Sequence, residues 1–182
     1  MIEGTVIPEI TFMYREGDEA PDDGGCPIGG EFVPTTTEDL FAGKRVVVFS
    51  LPGAYTPTCS TYQLPGFEAN YDTICEEFKV DEIYVSSVND GFVMNAWADF
   101  LDINNVKVIP DGNGDLAESL GMLVDMRSVG FGTRSRRFAV VLQDGVVVKD
   151  FVEPEPTADN LDPYGETSPE NVINYLKENY GS

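Results

Sequence analysis

The chain has 182 residues, of which 42% are apolar and 11% aromatic. That is enough length for one domain with a real core, and too much apolar content for wholesale disorder. Eleven Lys and Arg stand against 32 Asp and Glu, a formal net charge of -21, which excludes attraction to nucleic acid or to an anionic membrane surface. The charge reads either as an adaptation to a salt-rich cytoplasm or as solubility alone. Histidine is absent, which excludes Cys–His and Ser–His hydrolases, histidine-ligated zinc and histidine acid–base work. Cys26, Cys59 and Cys75 are too few and too irregular for a disulfide framework. The start, Met1-Ile2-Glu3-Gly4, lacks the basic and apolar regions of a signal peptide. No apolar run approaches the roughly 20 residues that span a bilayer. The expectation is one cytoplasmic domain over residues 1–182, in a reducing compartment and away from membranes.

In chain order, Val6, Ile7, Ile10 and Phe12 give a short extended signal. Residues 14–31 are rich in Gly, Asp and Glu and read as a mobile loop carrying Cys26. Thr35 to Gly43 reads as a turn or short helical segment. Val46 to Leu51 is a continuous β-branched run, the pattern of a buried central strand. It stops at Pro52-Gly53. A helix is expected near Thr58 to Ser60, interrupted at Pro65-Gly66 and resumed through Phe67, Tyr71, Ile74 and Phe78. A strand over Glu82 to Val88 follows. Next comes a helix capped by Asn89 or Asp90, with the stripe Val93, Trp97, Phe100 and Leu101. Val106 to Ile109 is a third strand. A turn from Asp111 to Gly114 leads to a short helix ending near Leu120. Asp111-x-Asn113-x-Asp115 begins like a calcium loop, but Leu116 stands where that loop needs glycine, so a turn is the reading. Arg137 to Leu142 and Val146 to Val152 are strands joined at Asp144-Gly145, a hairpin signal. A last helix begins at Ser168-Pro169 and buries Val172, Ile173 and Leu176. The order βαβαβαββα with a closing hairpin implies an α/β fold with a mixed central sheet flanked by helices.

Cys59 stands just past the end of the first central strand, at the mouth of a helix. In open α/β sheets, sites gather at the carboxyl ends of strands. The unpaired N–H groups of a helix start favour negative charge. A thiol there shifts from a pKa of about 8.5 towards about 3.5–7.5, so the thiolate becomes available. The alternative is a buried structural cysteine. Arg134, Arg136 and Arg137 fall within four positions, with Arg127 just before them. They are either a solvated loop balancing nearby carboxylates or a source of positive charge for the thiolate and an oxyanion. Met122, Leu123, Met126 and Phe131 either pack the core or line an apolar entrance.

The string Leu51-Pro52-Gly53-Ala54-Tyr55-Thr56-Pro57-Thr58-Cys59-Ser60 resembles the active-site motif of peroxiredoxins, in the form found in the type-5 (type II) subfamily. Ser87-Val88-Asn89-Asp90, Pro110-Asp111-Gly112-Asn113-Gly114 and Arg134-Ser135-Arg136-Arg137-Phe138 resemble the same subfamily. The resemblance covers roughly residues 34 to 179. It implies a thioredoxin-like fold and a thiol-dependent peroxidase acting on hydrogen peroxide and alkyl hydroperoxides. It makes Cys59 the peroxidatic nucleophile. Thr56 would hold peroxide and thiolate through its hydroxyl, Arg137 would be the active-site arginine, and Pro52 would shield the pocket. No metal or organic cofactor is implied, and homodimers are common in the family.

Relatives with a resolving cysteine place it where this chain has Val85 or the stretch Thr157 to Ser168, neither of which contains cysteine. Cys75 lies sixteen residues after Cys59. Along a helix at about 1.5 Å per residue that is on the order of 20 Å, against the roughly 7 Å between Cα atoms that a disulfide allows. Cys75 therefore reads as a helix-face residue, while Cys26 sits on a Gly-rich loop that leaves it some reach. The expectation is a one-cysteine cycle reset by glutathione or glutaredoxin, with thioredoxin as the other reductant. Two rival readings remain. A dithiol oxidoreductase lacks its first cysteine, because Thr56 occupies that position. A redox sensor would use Cys59 sulfenic acid as a signal without rapid turnover.

Overall fold

A computed structural model describes residues 1–17 and 30–181, the side chain of Cys59 excepted. Nine strands and five α-helices occur among the described residues: β1 (Thr11–Glu16), β2 (Glu31–Thr36), α1 (Thr37–Phe41), β3 (Arg45–Leu51), α2 (Leu64–Ala69), β4 (Glu82–Ser87), α3 (Gly91–Phe100), β5 (Lys107–Pro110), α4 (Asp115–Ser119), β6 (Leu123–Asp125), β7 (Thr133–Ser135), β8 (Phe138–Gln143), β9 (Val146–Val152) and α5 (Pro169–Tyr180). None of the described helices is long and apolar enough to cross a membrane.

The β-branched run forms the middle of a five-stranded sheet, ordered β5-β4-β3-β8-β9. β3 runs parallel to β4, and β4 to β5, whereas β8 and β9 are antiparallel additions on the other side. This is the mixed sheet flanked by helices that the element order implied, a thioredoxin-like α/β fold. Strand side chains alternate between faces, and β3 shows why its run is continuous. Val47, Phe49 and Leu51 pack with α2, α3 and α5, while Val46 and Val48 pack with α1, α4 and the N-terminal segment. On the first face, Phe67 stacks on Phe49 with ring centroids 4.2 Å apart. Burying each such side chain contributes about 2–3 kcal/mol. Gly66 permits α2 to touch the start of α5, since a Cβ there would lie 3.0 Å from the Pro169 ring. Asp144 and Gly145 both adopt left-handed backbone, the geometry that a tight Asp-Gly hairpin requires.

The structure departs from the sequence reading in four places. Tyr14 to Glu16 and Glu31 are paired strand residues, not loop: β1 and β2 form a hairpin whose last pair is Glu16 with Glu31. Cys26 lies outside the described residues. The segment after Pro57 is helical, but Cys59–Gln63 is a π-helical turn that passes into α2 just before Pro65. The wider register absorbs a proline that cannot donate. Leu123–Asp125 and Thr133–Ser135 form a small hairpin, too short for any periodicity to reveal. Finally, the buried stripe of α3 is Gly91, Met94 and Trp97, and Phe100 is 72% exposed.

The Asp111 turn caps α4. Its carboxylate accepts the Leu116 and Ala117 N–H groups, both at 3.1 Å, and burial pushes its carboxyl up to about 6.

Candidate active site

β3 ends at Leu51, and the chain turns through residues 52–56 before helical structure begins at Pro57. Proline suits the first helical position, where its missing N–H has no partner to lose. The Ser60 N–H closes the first turn on the Thr56 carbonyl at 3.1 Å. The backbone of Cys59 therefore lies in the first turn, among the amides that favour negative charge.

Four contacts fix the turn. The Asn89 side-chain oxygen accepts the Ala54 N–H at 3.1 Å and the Ser87 hydroxyl at 2.6 Å, which ties the loop after β3 to the loop after β4. The Thr56 hydroxyl donates to the Gly53 carbonyl at 2.8 Å. Arg134 donates to the Pro52 carbonyl at 3.4 Å, and a Cβ on Gly53 would stand 3.0 Å from that guanidinium. Trp97 donates its indole N–H to the Ser60 hydroxyl at 3.0 Å. At the apex, Tyr55 holds a left-handed φ of 63°. Such a conformation costs a non-glycine residue about 1–2 kcal/mol.

Arg137 immediately precedes β8 instead of opening it. The register that pairs Ser50 with Phe138 sets Arg137 at the end of the sheet where β3 runs into Pro52. Its side chain is buried. The guanidinium donates to the Pro163 carbonyl at 3.2 Å, to the Gln63 side-chain oxygen and to the Asp162 carboxylate. It also lies 5.7 Å from the centre of the Tyr164 ring and makes further contacts beyond these.

The four arginines thus divide. Arg127 pairs with Asp125 on an exposed turn and holds that carboxyl down at about 2. Arg136 serves the Glu153 carbonyl and Glu155. Arg134 reaches the Pro52 carbonyl, and Arg137 holds Gln63, the last residue of the π-helical turn that begins at Cys59. Pro52, Thr56 and Pro57 line a pocket of about 150 Å³ with Met126, Val129, Phe131, Leu161 and Asp162. Met126 and Phe131 line it as one of the sequence readings had them. Met122 is buried in the second core and Leu123 packs against it. A larger pocket of about 250 Å³, between β1 and the start of α3, has no cysteine among the described residues that line it.

Cys75 sits in a second π-helical turn, Thr73–Glu77, and is partly buried against the first core. Burial, with the nearby carboxylates of Glu82, Asp72 and Asp81, pushes its thiol up to about 11. It stays protonated near neutrality and is a poor nucleophile.

Behind Arg137 lies a chain of buried polar groups that no sequence signal identified. The Glu153 carboxylate accepts the Gly165 N–H at 2.7 Å, the Thr167 N–H at 2.9 Å and the Thr167 hydroxyl at 3.0 Å. The Thr167 oxygen accepts from the Gln63 amide at 3.1 Å, and the opposite end of Gln63 accepts from Arg137. Of these, only Gln63 was within reach of spacing rules, being four residues and one helical turn beyond Cys59. Removing the acceptor leaves buried donors unsatisfied, at about 1–3 kcal/mol each. Glu153→Ala is expected to lower the unfolding free energy by about 3 kcal/mol in urea denaturation, and Glu153→Gln by less, because its side-chain oxygen still accepts.

The family model described as Redoxin matches residues 15–165. A protein named Peroxiredoxin in Rhizobium etli is 49% identical over 176 residues, 94% of either chain. Hybrid peroxiredoxin hyPrx5 of Haemophilus influenzae is 41% identical over 175 residues, 96% of this chain and 66% of its own length. The crystal structure of Plasmodium falciparum antioxidant protein, described as a 1-Cys peroxiredoxin, superposes with a TM-score of 0.85 at 35% identity, covering 97% of this chain and all of that one (100%). The chain belongs to the Redoxin family and, within it, to the peroxiredoxins, which are thiol-dependent peroxidases.

Proposed function

We propose that the protein is a type-5 peroxiredoxin that reduces hydrogen peroxide and alkyl hydroperoxides through Cys59 and is reset by glutathione or glutaredoxin. The observation that carries this reading is that Thr56 and Arg134 bond within the turn that leads to the Cys59 backbone, while Arg137 holds Gln63 at the other end of the helical turn that Cys59 begins.

The Cys59 thiolate attacks the terminal oxygen of the hydroperoxide. An S–O bond forms as the O–O bond breaks, the alkoxide or hydroxide leaves and takes a proton, and the sulfur, oxidised by two electrons, becomes a sulfenic acid. Because the Thr56 hydroxyl spends its proton on the Gly53 carbonyl, its oxygen is an acceptor for the peroxide O–H. Arg137 and the helix-start amides bind the charge that grows on the leaving oxygen, which is stronger in the transition state than in the bound peroxide. This contribution matters because a lowered thiol pKa supplies thiolate but weakens its intrinsic nucleophilicity. Pro52 closes the buried end of the pocket against water.

Cys75 is not a resolving thiol, since its proton is tightly held and its side chain packs against the core. The 1-Cys description of the Plasmodium relative fits the same cycle. An external thiol attacks the sulfenic sulfur, releases water and leaves a mixed disulfide, and a second thiol frees Cys59. A reducing cytosol supplies both. The exposed rings of Tyr55 and Phe100, 5.7 Å apart beside the site, provide apolar surface for a homodimer.

The test is steady-state peroxide consumption with glutathione plus glutaredoxin, compared with thioredoxin plus its reductase. Glutaredoxin is expected to support the faster cycle. Cys26→Ser and Cys75→Ser are expected to keep activity with it within about twofold. Loss of activity in either variant makes that cysteine a resolving thiol. A wild-type protein that forms the sulfenic acid yet turns over with neither system is a sensor.

A further inference from the structure

The pocket beside Pro52 and Thr56 has one charged residue among the described residues that line it. Seven of those eight are uncharged, and the eighth is Asp162. The side chain of Asp162 is 32% exposed, while that of its partner Arg137 is 1% exposed. The cation is therefore sunk behind the wall, and the anion covers it on the side facing the pocket. A guanidinium at the end of a pocket ordinarily attracts carboxylates and phosphates. Here Asp162 already occupies one side of the guanidinium, and a second anion entering from that side meets Asp162 first.

We propose that Asp162 makes the pocket selective for uncharged hydroperoxides, so that an organic hydroperoxide carrying its own carboxylate is rejected. The inference rests on the peroxidase reading above and adds a specificity-determining residue to it. Met126, Val129, Phe131 and Leu161 contact the alkyl part of the substrate, and Asp162 excludes the charged ones. Like charges a few ångströms apart near a protein surface repel enough to shift a rate constant by about tenfold. The effect is local, which separates it from the general repulsion of a chain with net charge -21.

The experiment compares kcat/KM for a short hydroperoxy-alkanoic acid and for its methyl ester, which are matched in shape and differ in one charge. Wild type is expected to prefer the ester by about tenfold or more at low salt, with the preference shrinking as salt rises. Asp162→Asn is expected to bring the ester-to-acid ratio close to one, whatever it does to absolute rates. Asp159→Asn removes the same charge from an exposed position in the same segment and is expected to leave the ratio at its wild-type value. An unchanged ratio in Asp162→Asn, equal shifts in both variants, or equal use of acid and ester by wild type overturns the proposal. Wild type that consumes hydrogen peroxide but neither organic compound overturns it too. Wild type that consumes no peroxide of any kind overturns the peroxidase reading itself, and the selectivity with it.

Discussion

Cys59→Ser is expected to abolish peroxide consumption, with a fall in kcat/KM of at least about a thousandfold to the uncatalysed background. Serine keeps the size and the backbone position in the first helical turn, but its hydroxyl stays protonated near neutrality. The chain has no histidine to serve as a general base for it. The turn is framed by contacts of the residues around Cys59: Ser60 closes on Thr56, Ala54 on Asn89 and Arg134 on Pro52. The variant is therefore expected to match wild type in circular dichroism and in its urea midpoint, which assigns the loss to chemistry. Residual turnover above a tenth of wild type would move the reaction to another residue.

Arg137→Gln is the second large effect. It removes the cation that stabilises the leaving oxygen, and losing one preorganised donor of this kind costs about a hundredfold to a thousandfold in turnover. The variant also leaves Asp162 without its ion pair, and Gln63 and the Pro163 carbonyl without their donor. A moderate loss of stability is expected alongside. Arg137→Lys separates the two contributions. Lysine restores the charge but not the planar fork, which serves three acceptors on different sides. Its activity is expected to fall between wild type and Arg137→Gln, about tenfold below wild type. The readout is kcat/KM for hydrogen peroxide together with urea unfolding of each variant. Equal activity in the Gln and Lys variants would assign Arg137 a purely structural role.

The central sheet was readable because its signals are local and strong. Val46 to Leu51 must be continuously apolar when both faces are covered, and Asp144-Gly145 must turn. β1 and β2 were hidden because Arg15, Glu16 and Glu31 are charged, and their pairing joins residues fifteen or more positions apart. The β6–β7 hairpin was hidden by length, at three residues per strand. Phe100 misled because helical periodicity assigns a face and ignores the end of the helix. It is the last residue of α3, where the face has already passed the core.

The candidate site divided in the same way. Pro52, Thr56 and Cys59 share one contiguous motif, and Arg137 was reached through a resemblance, not through spacing. Glu153, Asp162 and Thr167 lie in the segment between β9 and α5. Asp162 meets Arg137 and Thr167 meets Gln63 through hydrogen bonds that span 25 and 104 positions, and Glu153 joins them through Thr167. No local pattern encodes such a contact. The burial of a charged residue, which would have marked Glu153, emerges only once the chain has folded.

The most direct test is to treat the reduced protein with one equivalent of hydrogen peroxide and locate the oxidation by mass spectrometry after trapping sulfenic acids. A single oxygen equivalent is expected at Cys59 within seconds, with Cys75 still a free thiol. Oxidation appearing first at Cys26 or Cys75, or no oxidation of Cys59 on that timescale, would contradict the assignment of Cys59 as the peroxide-reducing residue.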